Sequence, residues 1–198
     1  MDYGAGNVRS VFNLITSFCH DVVVANDAGA LERATHLILP GVGAFGAAMQ
    51  KIHSSLPMTL VEDLVLRRGK PFLGICVGLQ VLADRGTEFG DHQGLGWIPG
   101  VVDRLPSGGL PLPHIGWNNL LVRRNSPLLA GLDDTADFYF VHSFAFRAGN
   151  PGHVIAEANY GVDFPCALQR ENIFGVQFHP EKSQEAGRRL IENFLKIG

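Results

Sequence analysis

The chain is patterned as short, unbroken apolar runs separated by stretches of helical periodicity, and few folds accept that pattern. Val22-Val23-Val24, Leu37-Ile38-Leu39 and Phe72-Leu73-Gly74-Ile75 are apolar throughout rather than alternating. Such runs predict strands buried on both faces, as in parallel sheets. Between them, Val8, Val11, Phe12, Ile15 and Phe18 recur at helical spacing, and so do Leu60, Leu64 and Val65. Strand, helix, strand in this order predicts an α/β fold, doubly wound, with a mostly parallel central sheet and helices on both faces. From Gly94 to Leu168 the chain becomes rich in Gly, Pro and short β runs, and Phe138-Tyr139-Phe140-Val141-His142 alternates. This stretch predicts an antiparallel extension. A last strand, Ile173 to Phe178, then leads into a final helix with Ser183 as N-cap, Glu185 in the first turn, and Leu190, Ile191, Phe194 and Leu195 as its buried stripe. No repeat or long linker divides the 198 residues, so one domain over residues 1–198 is expected.

The segment richest in chemistry is PFLGICVGLQ, residues 71–80. It reads strand, then Gly74-Ile75-Cys76-Val77-Gly78, then helix, which is a nucleophile elbow with cysteine in the serine position. Glycines flank such a turn because neighbouring chain comes too close for side chains. The turn exposes the sulfur above the sheet at a helix N-terminus, where the dipole favours a thiolate. It also leaves the Val77 N–H free to donate into an oxyanion hole. A second reading stays open on the motif alone: Cys76 as a small buried residue, with glycines that permit tight packing. Cys19, ending a helical stripe, and Cys166, in an apolar run, read as inert core residues.

A thiolate nucleophile needs a proton carrier, usually a histidine held by a third group. Eight histidines compete. His20, His36, His53, His92 and His153 lie in turns or at element ends without a carboxylate to orient them. His114 and His142 are better placed. His179 is best, because GVQFHPE puts it directly after an apolar strand, where the carboxyl ends of parallel strands gather ligands. Glu181 follows two residues later, with Pro180 stiffening the backbone between them. A carboxylate there can accept the imidazole N–H and fix its tautomer. For a His-x-Glu standing alone, the bland reading is a strand cap beside a solvated Glu181–Lys182 pair. No HExxH or Cys/His ligand spacing is present, so a metal site is not expected.

Composition removes several other classes. With 46% hydrophobic and 18% charged residues the chain can build a core, so disorder is excluded. Net charge is −3, and Arg123-Arg124 and Arg188-Arg189 read as solvated faces, so nucleic acid is not an expected partner. No apolar run approaches the roughly 20 residues that span a bilayer, and MDYGAGNVRS lacks the basic-then-apolar order of a signal peptide. Three cysteines without a CxxC pair argue for a reducing cytoplasm rather than a disulfide framework.

Taken together, these residues resemble the class I, triad-type glutamine amidotransferases. Within that family the closer resemblance is to the branch that serves as glutaminase subunits of imidazole glycerol phosphate synthase, in histidine biosynthesis. It is carried by DYGAGN (2–7), LPGVGAFG (39–46), GICVGLQ (74–80), LPHIGWN (112–118), YFVHSF (139–144) and GVQFHPEKS (175–183). PHIGWN and YFVHSF separate this branch from the GMP synthetase, anthranilate synthase and carbamoyl phosphate synthetase relatives. The resemblance implies that Cys76 attacks the glutamine carboxamide, that His179 shuttles protons and that Glu181 orients it. It implies a second oxyanion donor from the loop Pro40-Gly41-Val42-Gly43, and substrate contacts from Gln80 and from the main chain at Ser143 and Phe144. Tyr139, His142 and Trp117 would lie on a partner face. The implied partner is a (β/α)8-barrel cyclase forming a heterodimer that receives the ammonia; no cofactor is implied.

The sequence departs from the family in three places. Members usually carry a short apolar strand ahead of the D-Y-G-x-G-N segment, whereas here Met1 abuts Asp2, so a first strand is expected to be missing. Val77 and Leu79 stand where leucine and methionine are usual, and Phe144 stands where tyrosine is frequent. Cysteine peptidase or chaperone-like relatives of the same elbow fold compete with this reading but lack the late His-Pro-Glu. A regulatory pseudo-amidotransferase is disfavoured because all three triad positions are filled. A redox switch at Cys76 lacks a nearby resolving cysteine.

Overall fold

A computed structural model describes residues 1–132 and 135–198. Its central sheet is built from β1 (Leu37–Gly41), β2 (Phe72–Cys76), β7 (Leu121–Val122), β10 (Val154–Tyr160), β11 (Val162–Arg170) and β12 (Ile173–Val176). These six strands lie in the order β1-β2-β12-β11-β10-β7. β2 runs between two parallel neighbours: Leu37 to Gly41 register with Phe72 to Cys76 on one side, and Val176 lies opposite Ile75 on the other. All five β2 residues are buried, as an unbroken apolar run in a parallel sheet requires. From β12 outward the sheet turns antiparallel through β11, β10 and β7, so the antiparallel extension is as wide as the parallel part.

Two smaller β units flank this sheet. One is built from β3 (Arg85–Gly86), β4 (His92–Gln93), β5 (Gly100–Arg104) and β9 (Phe144–Ala148), in the order β4-β3-β5-β9. The other is an antiparallel ribbon of β6 (His114–Asn119) and β8 (Asp137–His142). In β8 the alternation expected from its sequence appears as Phe138, Phe140 and His142 buried, with Tyr139 and Val141 half-buried. Phe138 and Phe140 stack toward Phe178, with ring centroids 4.2 and 5.6 Å apart, so β8 packs beside the chain that follows β12.

The helices follow their apolar stripes. Val11 and Ile15 are buried on α1 (Val8–Thr16). α2 (Ala28–Arg33) starts where the Asp27 side chain accepts from the Ala30 N–H. α3 (Phe45–Ser55) buries Phe45, Ala48, Met49 and Ile52, and α4 (Met58–Glu62) runs on into a π-helical turn over Asp63–Arg67. α5 (Val77–Gln80) is a single turn after β2, and α6 (Gln184–Phe194) closes the fold with Leu190, Ile191 and Phe194 buried. Among the described residues no helix is long and apolar enough to cross a membrane.

Three local expectations are corrected. Val22-Val23-Val24 is not a strand; Val23 is 63% exposed, and the ladder-like bond nearest to it runs from Asp2 N to Ala25 O. A strand exists only through its neighbours, and here a groove of about 640 Å³ separates this segment from the edge of β1. Ser183 does stand at the N-cap of α6, but its hydroxyl does not cap. Instead it donates to His179 O (2.6 Å) and accepts from Tyr139 N (3.0 Å). Cys19 is half-buried at the rim of the groove rather than in the core, whereas Cys166 is fully buried.

Candidate active site

Cys76 ends β2 with φ 55° and ψ −111°, a conformation that side chains with a Cβ rarely adopt. The strain is tolerated because the surroundings leave no alternative. A Cβ on Gly74 would overlap the Gly78 carbonyl, and one on Gly78 would overlap Leu39 O, so the elbow closes only with glycine at both positions. The α5 turn packs against β1, β2 and β12, which places the sulfur at the carboxyl ends of three parallel strands. Because α5 has only four residues, its dipole is a modest source of positive potential. The stronger one is His179.

His179 follows β12 and is 1% exposed. Its Nδ1 lies 2.8 Å from Glu181 Oε1, which leaves Nε2 buried and without a hydrogen-bond partner among the described residues. Burial alone would depress the imidazole, but the Cys76 sulfur and the Glu181 carboxylate outweigh it and raise the pKa to about 9. Burial likewise pushes the Glu181 carboxyl up, and His179 and Asn7 overcome that push, so its pKa falls below the ordinary value. Asn7 Nδ2 donates to Glu181 Oε1 at 3.1 Å. The pair is therefore an imidazolium facing a thiol or thiolate, backed by a carboxylate. That arrangement can carry a proton between a sulfur nucleophile and a leaving group.

The backbone around His179 is pinned by β8. His179 N donates to Tyr139 O at 2.9 Å, and the Ser183 hydroxyl bridges Tyr139 N and His179 O. On the opposite flank, Gly41 registers directly beside Cys76. A Cβ on Gly41 would come 2.6 Å from Gly78 N and 3.0 Å from Val77 Cβ, so this loop approaches the elbow as closely as main chain can. Val42 is exposed, and Gly43 adopts φ +94° in open space, where it turns the chain toward α3. Val77, directly after Cys76, is buried.

The residues assigned to substrate contact are drawn together, with their polar groups already engaged. Gln80 is 3% exposed; its Nε2 donates to Phe144 O (3.0 Å) and to Gln177 Oε1 (3.1 Å). Gln177, which belongs to no motif that signals chemistry, reaches Cys76 Sγ with its Nε2 at 3.7 Å. Phe144 O also accepts from His142 Nδ1 (2.9 Å), and Ser143 O accepts from Leu105 N (2.9 Å). His142 is not on a surface: it is 6% exposed, its Nε2 lies 3.1 Å from His114 Nδ1, and burial holds its pKa near 3. Trp117 is 47% exposed, stacked edge-on to Tyr139 at 5.9 Å, with Lys182 Nζ 5.2 Å above the Tyr139 ring. Among the described residues no cluster of His, Cys, Asp or Glu could hold a metal ion.

This geometry and fold agree with what the chain resembles. The family profile of Glutamine amidotransferase class-I matches residues 1–197. The chain belongs to the class I glutamine amidotransferases. Among its relatives, a protein of Bdellovibrio bacteriovorus is 45% identical over 100% of this chain and 98% of its own length, and one of Methanothermobacter thermautotrophicus is 46% identical over 100% and 96%. Both are named imidazole glycerol phosphate synthase subunit HisH. The fold is similar to a crystal structure of a glutamine amidotransferase (TM-score 0.75, 21% identity, 97% of this chain and 94% of that one). It is also similar to a GMP synthase component from Thermoplasma acidophilum (TM-score 0.70, 20% identity, 98% and 89%).

Proposed function

We propose that this chain, as one domain over residues 1–198, is the glutaminase subunit of an imidazole glycerol phosphate synthase and works in the cytoplasm. The observation that carries the reading is the relay from Glu181 through His179 toward Cys76, set on a strained elbow in a chain about 45% identical to HisH subunits. Cys76 Sγ attacks the carboxamide carbon of glutamine. The oxyanion is met by the Val77 N–H and by an N–H of the Gly41–Gly43 loop, each donor contributing on the order of a hundredfold in rate. His179 Nε2–H protonates the departing nitrogen, which leaves as ammonia and a γ-glutamyl thioester. The neutral imidazole then takes a proton from water as its oxygen adds to the thioester, releasing glutamate and restoring the thiol and His179.

Nothing in this site uses the ammonia, so an acceptor is needed. The exposed Ile115 and Trp117, with Tyr139 and Lys182, form a face for a (β/α)8-barrel cyclase in a heterodimer. The Tyr139 main chain holds both His179 and Ser183, so contacts on that face bear directly on the triad. The test measures glutamate release by the chain alone, with the cyclase, and with the cyclase and its ribonucleotide substrate. An electrophilic glutamine analogue should label Cys76 and spare Cys19 and Cys166. Labelling elsewhere, or hydrolysis that survives Cys76→Ala, would sink the reading.

A further inference from the structure

Tyr3 is 3% exposed, and its hydroxyl has no hydrogen-bond partner among the described residues. A buried O–H left unpaired costs free energy, so a structure that keeps one in an active site has an unspent donor there. The hydroxyl lies against the oxyanion loop: a Cβ on Gly41 would come 2.6 Å from it, and equally 2.6 Å from the Gly78 N–H. Gly41 in turn registers beside Cys76. The hydroxyl therefore sits where the loop, the first turn of α5 and the nucleophile converge. Its own ionisation is suppressed, first by burial and then by the charge of Cys76, so the group stays a neutral donor within electrostatic reach of the sulfur.

We infer that Tyr3 is a further catalytic residue, whose hydroxyl donates a hydrogen bond to the oxyanion that forms when Cys76 attacks the carboxamide. The inference rests on the glutaminase reading of this site. It explains why a residue packed in the core carries a hydroxyl where phenylalanine would fill the same space. It also places the unpaired donor where negative charge appears only during the reaction. A donor of this kind lowers the barrier without tightening ground-state binding, so its signature is in kcat rather than KM.

The experiment compares the wild-type chain with Tyr3→Phe, each assembled with the cyclase and its ribonucleotide substrate. Three quantities are read: kcat and KM for glutamine, the melting temperature, and the affinity for a glutamate γ-semialdehyde, which adds reversibly to Cys76 and mimics the tetrahedral oxyanion. The expected result is a fall in kcat of on the order of tenfold or more. The aldehyde should weaken by a matching factor, while KM and melting temperature stay unchanged. A wild-type kcat and aldehyde affinity in Tyr3→Phe overturns the inference. So does a loss of kcat that follows a fall in melting temperature with aldehyde affinity intact, because that is a packing effect. If Tyr3→Phe does not fold, 3,5-difluorotyrosine at position 3 keeps the shape and sharpens the donor, and unchanged kinetics there overturn the inference equally. Absence of glutamine hydrolysis in the wild-type assembly would instead overturn the glutaminase reading, and with it this role.

Discussion

Asn7 and Glu181 lie 174 positions apart in the chain and meet through a 3.1 Å hydrogen bond from Asn7 Nδ2 to Glu181 Oε1. Asn7 stands at the N-cap of α1 yet makes no capping bond with its side chain. It spends its amide on the carboxylate that holds His179. The helix start and the catalytic acid–base are thus coupled, and a defect in one should be read in the other.

Removing that amide should cost the triad more than the helix. A hydrogen bond to a charged group is worth about 1.5–3 kcal/mol, which is a loss in kcat of roughly 10- to 100-fold if it is expressed in the transition state. Asn7→Ala is expected to lose kcat in that range with partner present. Steady-state kinetics check this, and a kcat within about twofold of wild type would separate Asn7 from the chemistry.

The His179 pKa of about 9 predicts an alkaline limb. The imidazolium, which protonates the leaving nitrogen, is the charged form favoured in the folded state. Its contribution to stability is full below the ordinary value of 6.5 and is lost as pH rises from there to about 9. Glutamate release by the activated assembly should therefore hold to about pH 9 and then fall. Glu181→Gln should move the limb to lower pH, and a limb that does not move would refute the carboxylate's role.

His142 acts with the opposite sign. Burial, aided by the charges of His114 and His179 and opposed by its bond to Phe144 O, holds it near 3. Between pH 6.5 and 3 the unfolded chain takes up a proton that the folded chain refuses, so stability falls as pH falls through that window. His142→Phe should lose stability near neutral pH, where the Phe144 O and His114 bonds go, yet show a smaller drop between about pH 7 and about pH 4.5. Melting temperatures at the two pH values test this. An equal or steeper acid drop in the variant would mean that His142 is not the buried neutral group.

The groove of about 640 Å³ beside β1 should accept one more strand. Met1 N is buried against Ile38 O at 2.6 Å, and burial lowers its amine to about 6. Joining about five apolar, β-branched residues ahead of Met1 would replace that buried amine with a peptide and pair the edge of β1. A gain of about 1–2 kcal/mol, or roughly 2–8 °C in melting temperature, is expected. A lower or unchanged melting temperature would show that the groove does not take a strand.

Local sterics made part of this protein legible in its residues alone. Gly74, Cys76 and Gly78 can form only a tight strand-to-helix turn, because the overlap that excludes side chains arises within a few residues of chain. The alternation in β8 and the stripes on α1 and α6 are likewise properties of each element's own period. His179 and Glu181 could be paired because Pro180 limits the path between them. Tertiary structure alone decided what depends on chain closing over long separations. Val22-Val23-Val24 has strand composition but no ladder partner among the described residues, so it is not a strand. His142 has the sequence of a surface position on an alternating ribbon, yet packing against His114 and Phe164 buries it and keeps it neutral. Asn7, Gln177 and Tyr3 carry no local signal for the roles proposed or observed here. Their side chains acquire partners, or an idle hydroxyl, only when β1, β2 and β12 bring the two ends of the chain to one side of Cys76.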